Sequence, residues 1–380
     1  MHCAFFADAS RLEDANPFLA LREWRTPVPA SFDSLETPCV LIDLDRVEAN
    51  LKRGQAEADR LGLKLRPHIK THKLPRFAKR QVELGAHGIT VQKLGEAEVM
   101  ADAGLNDIFL PYNILGAAKL GRLKALNERV TLAVTADSPD TVAGYAAAFA
   151  TGKPLTVLVE CDTGLGRCGV VTPAQALALA RHIVQSPGLR FGGLMTYPPA
   201  GGRDKAEAWL AEAKAMLAKG GIDCPVISSG GTPDLWHGHA GSVVTEYRPG
   251  TYIYNDRMQQ DFGAASWDDC ALTVLATVVS RPTATRAVLD AGSKTLSSDA
   301  PGLGGYGRII GYEGAVLKSL SEEHGVVELA LPSDSPRIGE TVRIIPNHAC
   351  VVSNLFDAVH LVSGDRLVET LPVAARGKVQ

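Results

Sequence analysis

The chain has 380 residues, 46% of them hydrophobic and 21% charged, with a formal net charge of -3. That composition can bury a large core and suits two domains, while a slightly acidic balance offers no basic stripe for nucleic acid, so small molecules are the expected partners. Seven cysteines without paired spacing argue for a reducing, cytoplasmic compartment. No run approaches the roughly 18 apolar residues of a membrane span, and MHCAFFADASRLEDANPF lacks the basic start and apolar run of a secretory signal.

Residues 1–36 show no clear period and read as an N-terminal extension. TPCVLIDL then reads as a strand leading into one long amphipathic helix, and that strand belongs either with the barrel runs after it or with a second domain. From residue 63, eight apolar, β-branched runs recur, most succeeded by a segment of helical period. They are LKLRPHI, GITVQ, DIFLPY, VTLAVTA, LTVLVECD, LRFGGLMTY, CPVISSG and EYRPGTYI. Helices are suggested by GEAEVMADAG, AAKLGRLKALN, SPDTVAGYAAAFA, PAQALALARHIVQS and AEAWLAEAKAMLA. This pattern predicts an α/β chain whose residues 37–265 form a (β/α)8 TIM barrel. After residue 266, VVSRPTATRAVLDAG, HGVVELALP and ETVRIIPNHACVV read as short alternating strands with little helix, a second, mainly β domain over 266–380.

In a TIM barrel the chemistry gathers at the carboxyl ends of the strands. There the sequence places Lys70, flanked by His68 and His72, then Gln92, Tyr112, Asp162, Arg167 and Tyr197. Ser229, Gly230, Gly231 and Thr232 come after the seventh strand, and Arg248, Gly250 and Tyr252 mark the eighth. A lysine at a strand end invites a Schiff base, and a small-residue turn after strand seven suits a phosphate; the two together are what pyridoxal phosphate requires. One of His68 and His72 is expected near the cofactor, the other in a strand-end hydrogen bond. His237 and His239 read as surface residues. In the second domain His348 and Cys350 stand two apart on an expected strand, which would turn both side chains to one face as metal ligands or as packing residues.

Taken together, RPHIKTHK, GRCGV at 166–170, the GGT turn, DAG at 290–292, EEHG at 322–325 and PNHAC resemble the D-threonine aldolase and D-serine dehydratase family, fold type III pyridoxal phosphate enzymes sharing the alanine racemase barrel. The resemblance implies Lys70 as the Schiff-base lysine with Lys73 as a supporting cation, and Arg167 on the phenolic oxygen of the cofactor. It implies Gly230, Gly231 and Thr232 on the phosphate, helped by Gly250 and Tyr252. His348 and Cys350 match its metal pair, for manganese, magnesium or zinc. His324, in EEHG, could reach that site. Arg248 resembles the alanine racemase arginine that faces the pyridine nitrogen. Many of the aldolases carry a histidine base after the tyrosine that ends strand six, whereas here Tyr197 precedes Pro198 and Pro199.

The reaction the resemblance implies is retro-aldol cleavage of D-3-hydroxy-2-amino acids, as D-threonine to glycine and acetaldehyde. Lys70 would carry the cofactor, and His324, Tyr197 or a metal-bound water would serve as base. The alternative is dehydration of the same substrates to a 2-keto acid and ammonia. The fold implies a homodimer.

Overall fold

The structure is a computed structural model and describes residues 32–239, 241–299 and 302–380. Most of the expected N-terminal extension lies outside the described residues. The first strand, β1 (Cys39–Asp43), leads into α1 (Leu44–Leu61). Asp43 caps that helix by accepting the Asp45 and Arg46 amides, and Gly62 ends it in the left-handed conformation, at φ 66°.

Eight parallel strands come next: β2 (Lys64–Leu65), β3 (Ile89–Thr90), β4 (Asp107–Leu110), β5 (Thr131–Ala136), β6 (Leu155–Cys161), β7 (Leu189–Thr196), β8 (Val226–Ser229) and β9 (Glu246–Tyr247). Between them run α2 (Pro75–Glu83), α3 (Leu94–Asp102), α4 (Ala117–Arg129), α5 (Pro139–Phe149), α6 (Pro173–Gln185) and α7 (Arg203–Lys219). Each strand lies in one of the eight apolar runs. Helix α2 is absent from the helices read in the sequence, although its PRFAKRQVE segment buries one face through Phe77, Ala78 and Gln81. The first and last barrel strands are shorter than their sequence runs, since Pro67 and Pro249 have no N–H to extend a ladder. β2 pairs with β9, and the ring closes between β2 and β3 through a single His68–Thr90 bridge, with the Thr90 amide donating to the Pro67 carbonyl at 2.7 Å.

After α8 (Arg257–Asp261) come β10 (Leu272–Thr283), β11 (Arg286–Leu289), α9 (Ser293–Leu296), β12 (Gly307–Ile309), β13 (Ala315–Leu320), β14 (Gly325–Leu329), β15 (Thr341–Pro346), α10 (Ala349–Leu355), β16 (Ala358–Ser363) and β17 (Arg366–Pro372), whose eight strands form a nine-stranded sheet together with β1. β1 joins this sheet, antiparallel to β10 and parallel to β16. One apolar cluster fills the space between barrel strands and helices, and a second runs from β1 and α1 through Tyr252 and Tyr254 into β10 and β15. The two domains thus share a continuous seam.

The expected strand through His348 and Cys350 does not form. β15 stops at Pro346, His348 caps α10 with extended backbone, and Cys350 lies in the first turn of that helix. Proline, which cannot donate to a ladder, ends the strand.

A hydrogen-bonded chain links buried charges at the ends of the barrel strands. Arg66 Nε meets Glu246 at 2.5 Å and its Nη1 meets Asp107 at 2.5 Å. Ser228 donates to Glu246 at 2.6 Å and accepts from Arg248 Nε at 2.8 Å, and Arg248 Nη2 donates to the Thr196 carbonyl. Removing the one carboxylate between two buried guanidinium groups leaves charge uncompensated, so Glu246→Ala should cost about 3–5 kcal/mol of stability. Ser228→Ala should cost about 1–2 kcal/mol. Urea unfolding of the two variants checks this ordering, and equal midpoints would contradict it.

Candidate active site

A cavity of about 220 Å³ opens at the carboxyl ends of the barrel strands and is walled on one side by the second domain. Lys70, His68, Gln92, Arg167, Tyr197, Gly231, Thr232, Arg248 and Gly250 line it from the barrel, and His348 and Cys350 line it from α10. The fold therefore brings together residues from both domains of one chain.

Lys70 sits in a 3-10 turn, Ile69–Thr71, just past β2. His68 precedes the turn. Its Nδ1 accepts the Lys70 amide at 3.4 Å and its Nε2 faces Gln92 Oε1 at 3.0 Å. With Nδ1 accepting, Nε2 carries the proton and donates to Gln92. Burial holds His68 well below the usual imidazole range, with the Lys70 charge acting the same way, so His68 orients rather than takes protons. Burial also lowers the Lys70 ammonium, assisted by Arg167 and Arg248 although Cys350 and Glu96 oppose it, which favours the nucleophilic free amine. His72 is the second flanking imidazole. It is buried, accepts the Leu74 amide at 3.0 Å and packs edge-on against Phe77 and Tyr254, away from the cavity.

Lys73 does not support the site as a cation. Its Nζ points away to Glu96 at 2.9 Å and to the Ala375 carbonyl at 3.4 Å, while the other Glu96 oxygen holds the Gln92 amide at 2.7 Å. The pair braces the loop that carries Gln92.

Arg167 is presented on an exposed loop organised by Asp162, whose carboxylate accepts the Gly164 and Gly166 amides at 2.9 and 3.1 Å. Its guanidinium lies 5.4 Å from the Tyr197 ring centroid. Burial, with the Cys350 charge, pushes the Tyr197 phenol up, so near neutral pH it is a proton donor and a poor base. Burial lowers Arg248 to about 10, and it stays charged at neutral pH.

The turn after β8 is a cradle that tolerates no side chain. A Cβ on Gly231 would come within 2.9 Å of the Tyr197 ring, and one on Gly250 within 3.0 Å of Thr71 Oγ1. Thr232 Oγ1 accepts the Tyr252 amide at 3.0 Å. Ser229 and Gly230 lie one step behind the lining, the Ser229 carbonyl taking the Arg248 amide and Gly230 resting under the Tyr247 ring with φ 95°. Tyr252 departs from expectation: its hydroxyl accepts from Gln81 at 3.1 Å and its ring packs against Gly54 of α1, so its side chain faces the domain seam.

His324 is not brought to the cavity. It is exposed in the β13–β14 turn, where its carbonyl accepts the Ser321 amide at 2.9 Å. His237 and His239 are exposed beside Asp234 and Glu207. Asp290 accepts from Thr37 and from the Thr277 amide inside the second sheet.

His348 Nδ1 meets Asp299 at 2.7 Å. Burial opposes its protonation, but Cys350 and Asp299 together push it up to about 10, while the imidazole pulls the Cys350 thiol down against burial. The soft thiolate and oriented imidazole suit a divalent ion, although among the described residues no group of three or more His, Cys, Asp and Glu gathers. Sequence reasoning does not reach Asp299, the Thr71 and Thr251 hydroxyls beside Cys350, or the wall of Met258, Gln259 and Phe262. Only Asn255-Asp256, a helix-start signal, points to that last element.

A barrel with a lysine on the turn after its first strand, a glycine cradle after the seventh and a β domain closing the cavity defines the alanine racemase-like class. Residues 42–258 match the alanine racemase N-terminal domain, and residues 271–362 match a putative serine dehydratase domain. The chain is 35% identical to a D-threonine aldolase of an Arthrobacter species, over 90% of this chain and 93% of that one. It is 32% identical to the D-threo-3-hydroxyaspartate dehydratase of a Delftia species, over 89% and 97%; a cysteine-to-alanine variant of such a dehydratase has been solved in a metal-free form. The crystal structure of D-threonine aldolase from Filomicrobium marinum superposes with a TM-score of 0.84 at 32% identity, covering 93% of this chain and all of that one. The chain belongs to the D-threonine aldolase and D-serine dehydratase family within this class, and it is a lyase. Among the described residues no helix is long and apolar enough to cross a membrane.

The buried imidazoles generate a pH prediction. Burial lowers His72 from 6.5 to about 4, and His68 moves in the same direction. The unfolded chain therefore binds protons that the folded chain does not, and stability should fall as pH drops from about 6.5 toward 4. His72 alone should account for up to about 3 kcal/mol of that loss. Urea midpoints measured across this range should flatten in His72→Gln, and an unchanged slope would contradict the assignment.

Proposed function

We propose that this chain cleaves D-3-hydroxy-2-amino acids by a retro-aldol reaction, using pyridoxal phosphate and a divalent metal. The observation that carries the reading is the presence in one cavity of the Lys70 amine and the His348–Cys350 pair. Pyridoxal phosphate, when bound, supplies an electron sink for charge left at the substrate's α-carbon, and a divalent ion supplies a Lewis acid for the β-oxygen. Both groups fit: Lys70, Arg167, Arg248 and the Gly231–Thr232 turn line one cavity of about 220 Å³, and thiolate plus imidazole is a soft, two-ligand donor set. The metal-free form of the cysteine variant of the related dehydratase supports the second assignment.

This chain's residues then divide the work. Lys70 would hold the cofactor and, once released as a free amine, would take up the proton the β-hydroxyl gives up and, as the ammonium, deliver it to the α-carbon. His68 and Gln92 fix the turn that aims it. Arg167 and Arg248 supply positive charge to the site, and Gly231, Thr232 and Gly250 would receive the phosphate. Tyr197 donates a hydrogen bond as a neutral phenol. Met258 and Phe262 form an apolar wall beside His348, which suits a methyl or larger apolar β-substituent better than a carboxylate.

A second reading rests on a specific observation. His324 lies outside the cavity and Tyr197 is succeeded by proline, so among the described residues the only imidazoles lining the cavity are the oriented His68 and the paired His348. Dehydration needs none, because Lys70 would take the α-proton and, as the ammonium, return it to the departing hydroxyl, which leaves as water. The aldolase reading stays ahead on the higher identity to the Arthrobacter aldolase.

Product analysis with D-threonine in the presence of pyridoxal phosphate and manganese separates the two. Glycine and acetaldehyde, lost on chelation, are expected. Lys70→Ala should abolish turnover, and His348→Ala and Cys350→Ala should each reduce kcat by about 10²-fold or more, as removal of a group that stabilises developing charge does. 2-Oxobutyrate in place of acetaldehyde would establish the dehydratase instead.

A further inference from the structure

Cys350 does not simply face the cavity. It is delivered by the second domain into a slot between two turns of the barrel. Thr71 Oγ1 lies 3.2 Å from its sulfur and Thr251 Oγ1 lies 3.5 Å away. Thr71 is completely buried and is the residue after Lys70 in the same 3-10 turn. Thr251 opens the 3-10 turn Thr251–Ile253, directly after Gly250 of the cradle. Gly250 is what lets the two turns approach, since any Cβ there would press on Thr71 Oγ1 at 3.0 Å and on His68 at 3.2 Å. From the other side, Asp256 seats α10. One of its oxygens takes the Ala349 amide at 2.9 Å and the other takes the Gln259 amide at 2.9 Å.

We propose that the Thr71 and Thr251 hydroxyls are a pair of positioning donors for the Cys350 thiolate, and that Thr71 makes the metal thiolate and the lysine turn one hydrogen-bonded piece. A thiolate has only acceptor capacity, so each hydroxyl must donate to it when the cysteine is ionised. Two donors fix the sulfur's position and leave its remaining lone pair for a metal, and they draw electron density from the sulfur. They thereby set how strongly that ligand holds its ion. Neither threonine needs to touch substrate, which distinguishes them from the lining groups already assigned. The inference rests on the reading of His348 and Cys350 as the metal pair.

Cobalt(II) titration of the full-length protein tests it, because a cobalt-bound thiolate shows a charge-transfer band that reports the sulfur directly. Thr71→Val keeps the shape and removes the hydroxyl; it should shift the band to longer wavelength, because the sulfur regains electron density, and weaken cobalt binding about tenfold, because losing the sulfur's fixed position outweighs that gain. Thr71→Ser should restore both. Thr251→Val should give a shift of the same sign, and it keeps the question answerable if Thr71→Val fails to fold. The visible absorbance of bound pyridoxal phosphate, recorded without metal, should be the same in wild type and Thr71→Val. An unmoved band in both valine variants would overturn the proposal. So would a serine variant that behaves like valine, which would make the methyl group the important part, or a changed cofactor absorbance without metal, which would place the effect in the turn itself. A wild-type protein that takes up no cobalt would overturn the metal reading, and this inference with it.

Discussion

The interior of the barrel holds charge that water cannot reach, and the placement of the site depends on how that charge is compensated. Arg66, Glu246, Ser228 and Arg248 form one hydrogen-bonded chain across the neighbouring ends of β2, β9 and β8. An unpaired guanidinium there would cost several kcal/mol. Because every member is satisfied, the chain holds β2, β8 and β9 in one register, with Lys70, the glycine cradle and Arg248 at their ends. The single bridge that joins β2 to β3 leaves the residues after β2 free of a long ladder, which is why the Lys70 backbone can turn sharply into the cavity.

The second constraint is the seam between the domains. β1 belongs to the distant sheet although α1 returns at once to the barrel, so the chain crosses the seam there and again near Asp256. Asp256 ties α8 to α10 by accepting an amide from each. Both helices are short, seven residues at most, and would not hold a side chain in place alone. Anchored in this way, they set Met258, Gln259, His348 and Cys350 around one space. The barrel half of the chain contributes Lys70, the glycine turns and, just beyond its last strand, Met258 and Phe262, while the second domain contributes His348 and Cys350. Neither domain makes the site without the other.

Much of this is legible in the residues. Eight β-branched runs with intervening helical segments point to the barrel because period 2 and period 3.6 leave different apolar spacings. Lys70, Gln92, Arg167 and Arg248 are legible because strand ends in this architecture converge. Tyr252 is misleading for a local reason: its sequence reads as a strand where the chain makes a 3-10 turn, and a turn of that pitch rotates the ring toward α1. His324 misleads because a motif carries no information about which end of a hairpin faces the cavity. The helix at Ala349–Leu355 is hidden because ACVVSNL has the β-branched look of a strand, and only the satisfied amide at Ala349 makes a helix start favourable there.

Fold class, the strand-end lysine, the small-residue turn and the candidacy of His348 and Cys350 can be read from the residues alone, because these depend on periodicity and residue chemistry, which are local properties of the chain. The tertiary structure alone decided which hydroxyls and carboxylates attend them. Asp299 reaches His348 across 49 positions, Thr71 reaches Cys350 across 279, and Glu246 reaches Arg66 across 180. No spacing rule links residues so far apart. Their partnership arises when burial removes water and each polar group must find the neighbour that the packing of two domains has placed beside it.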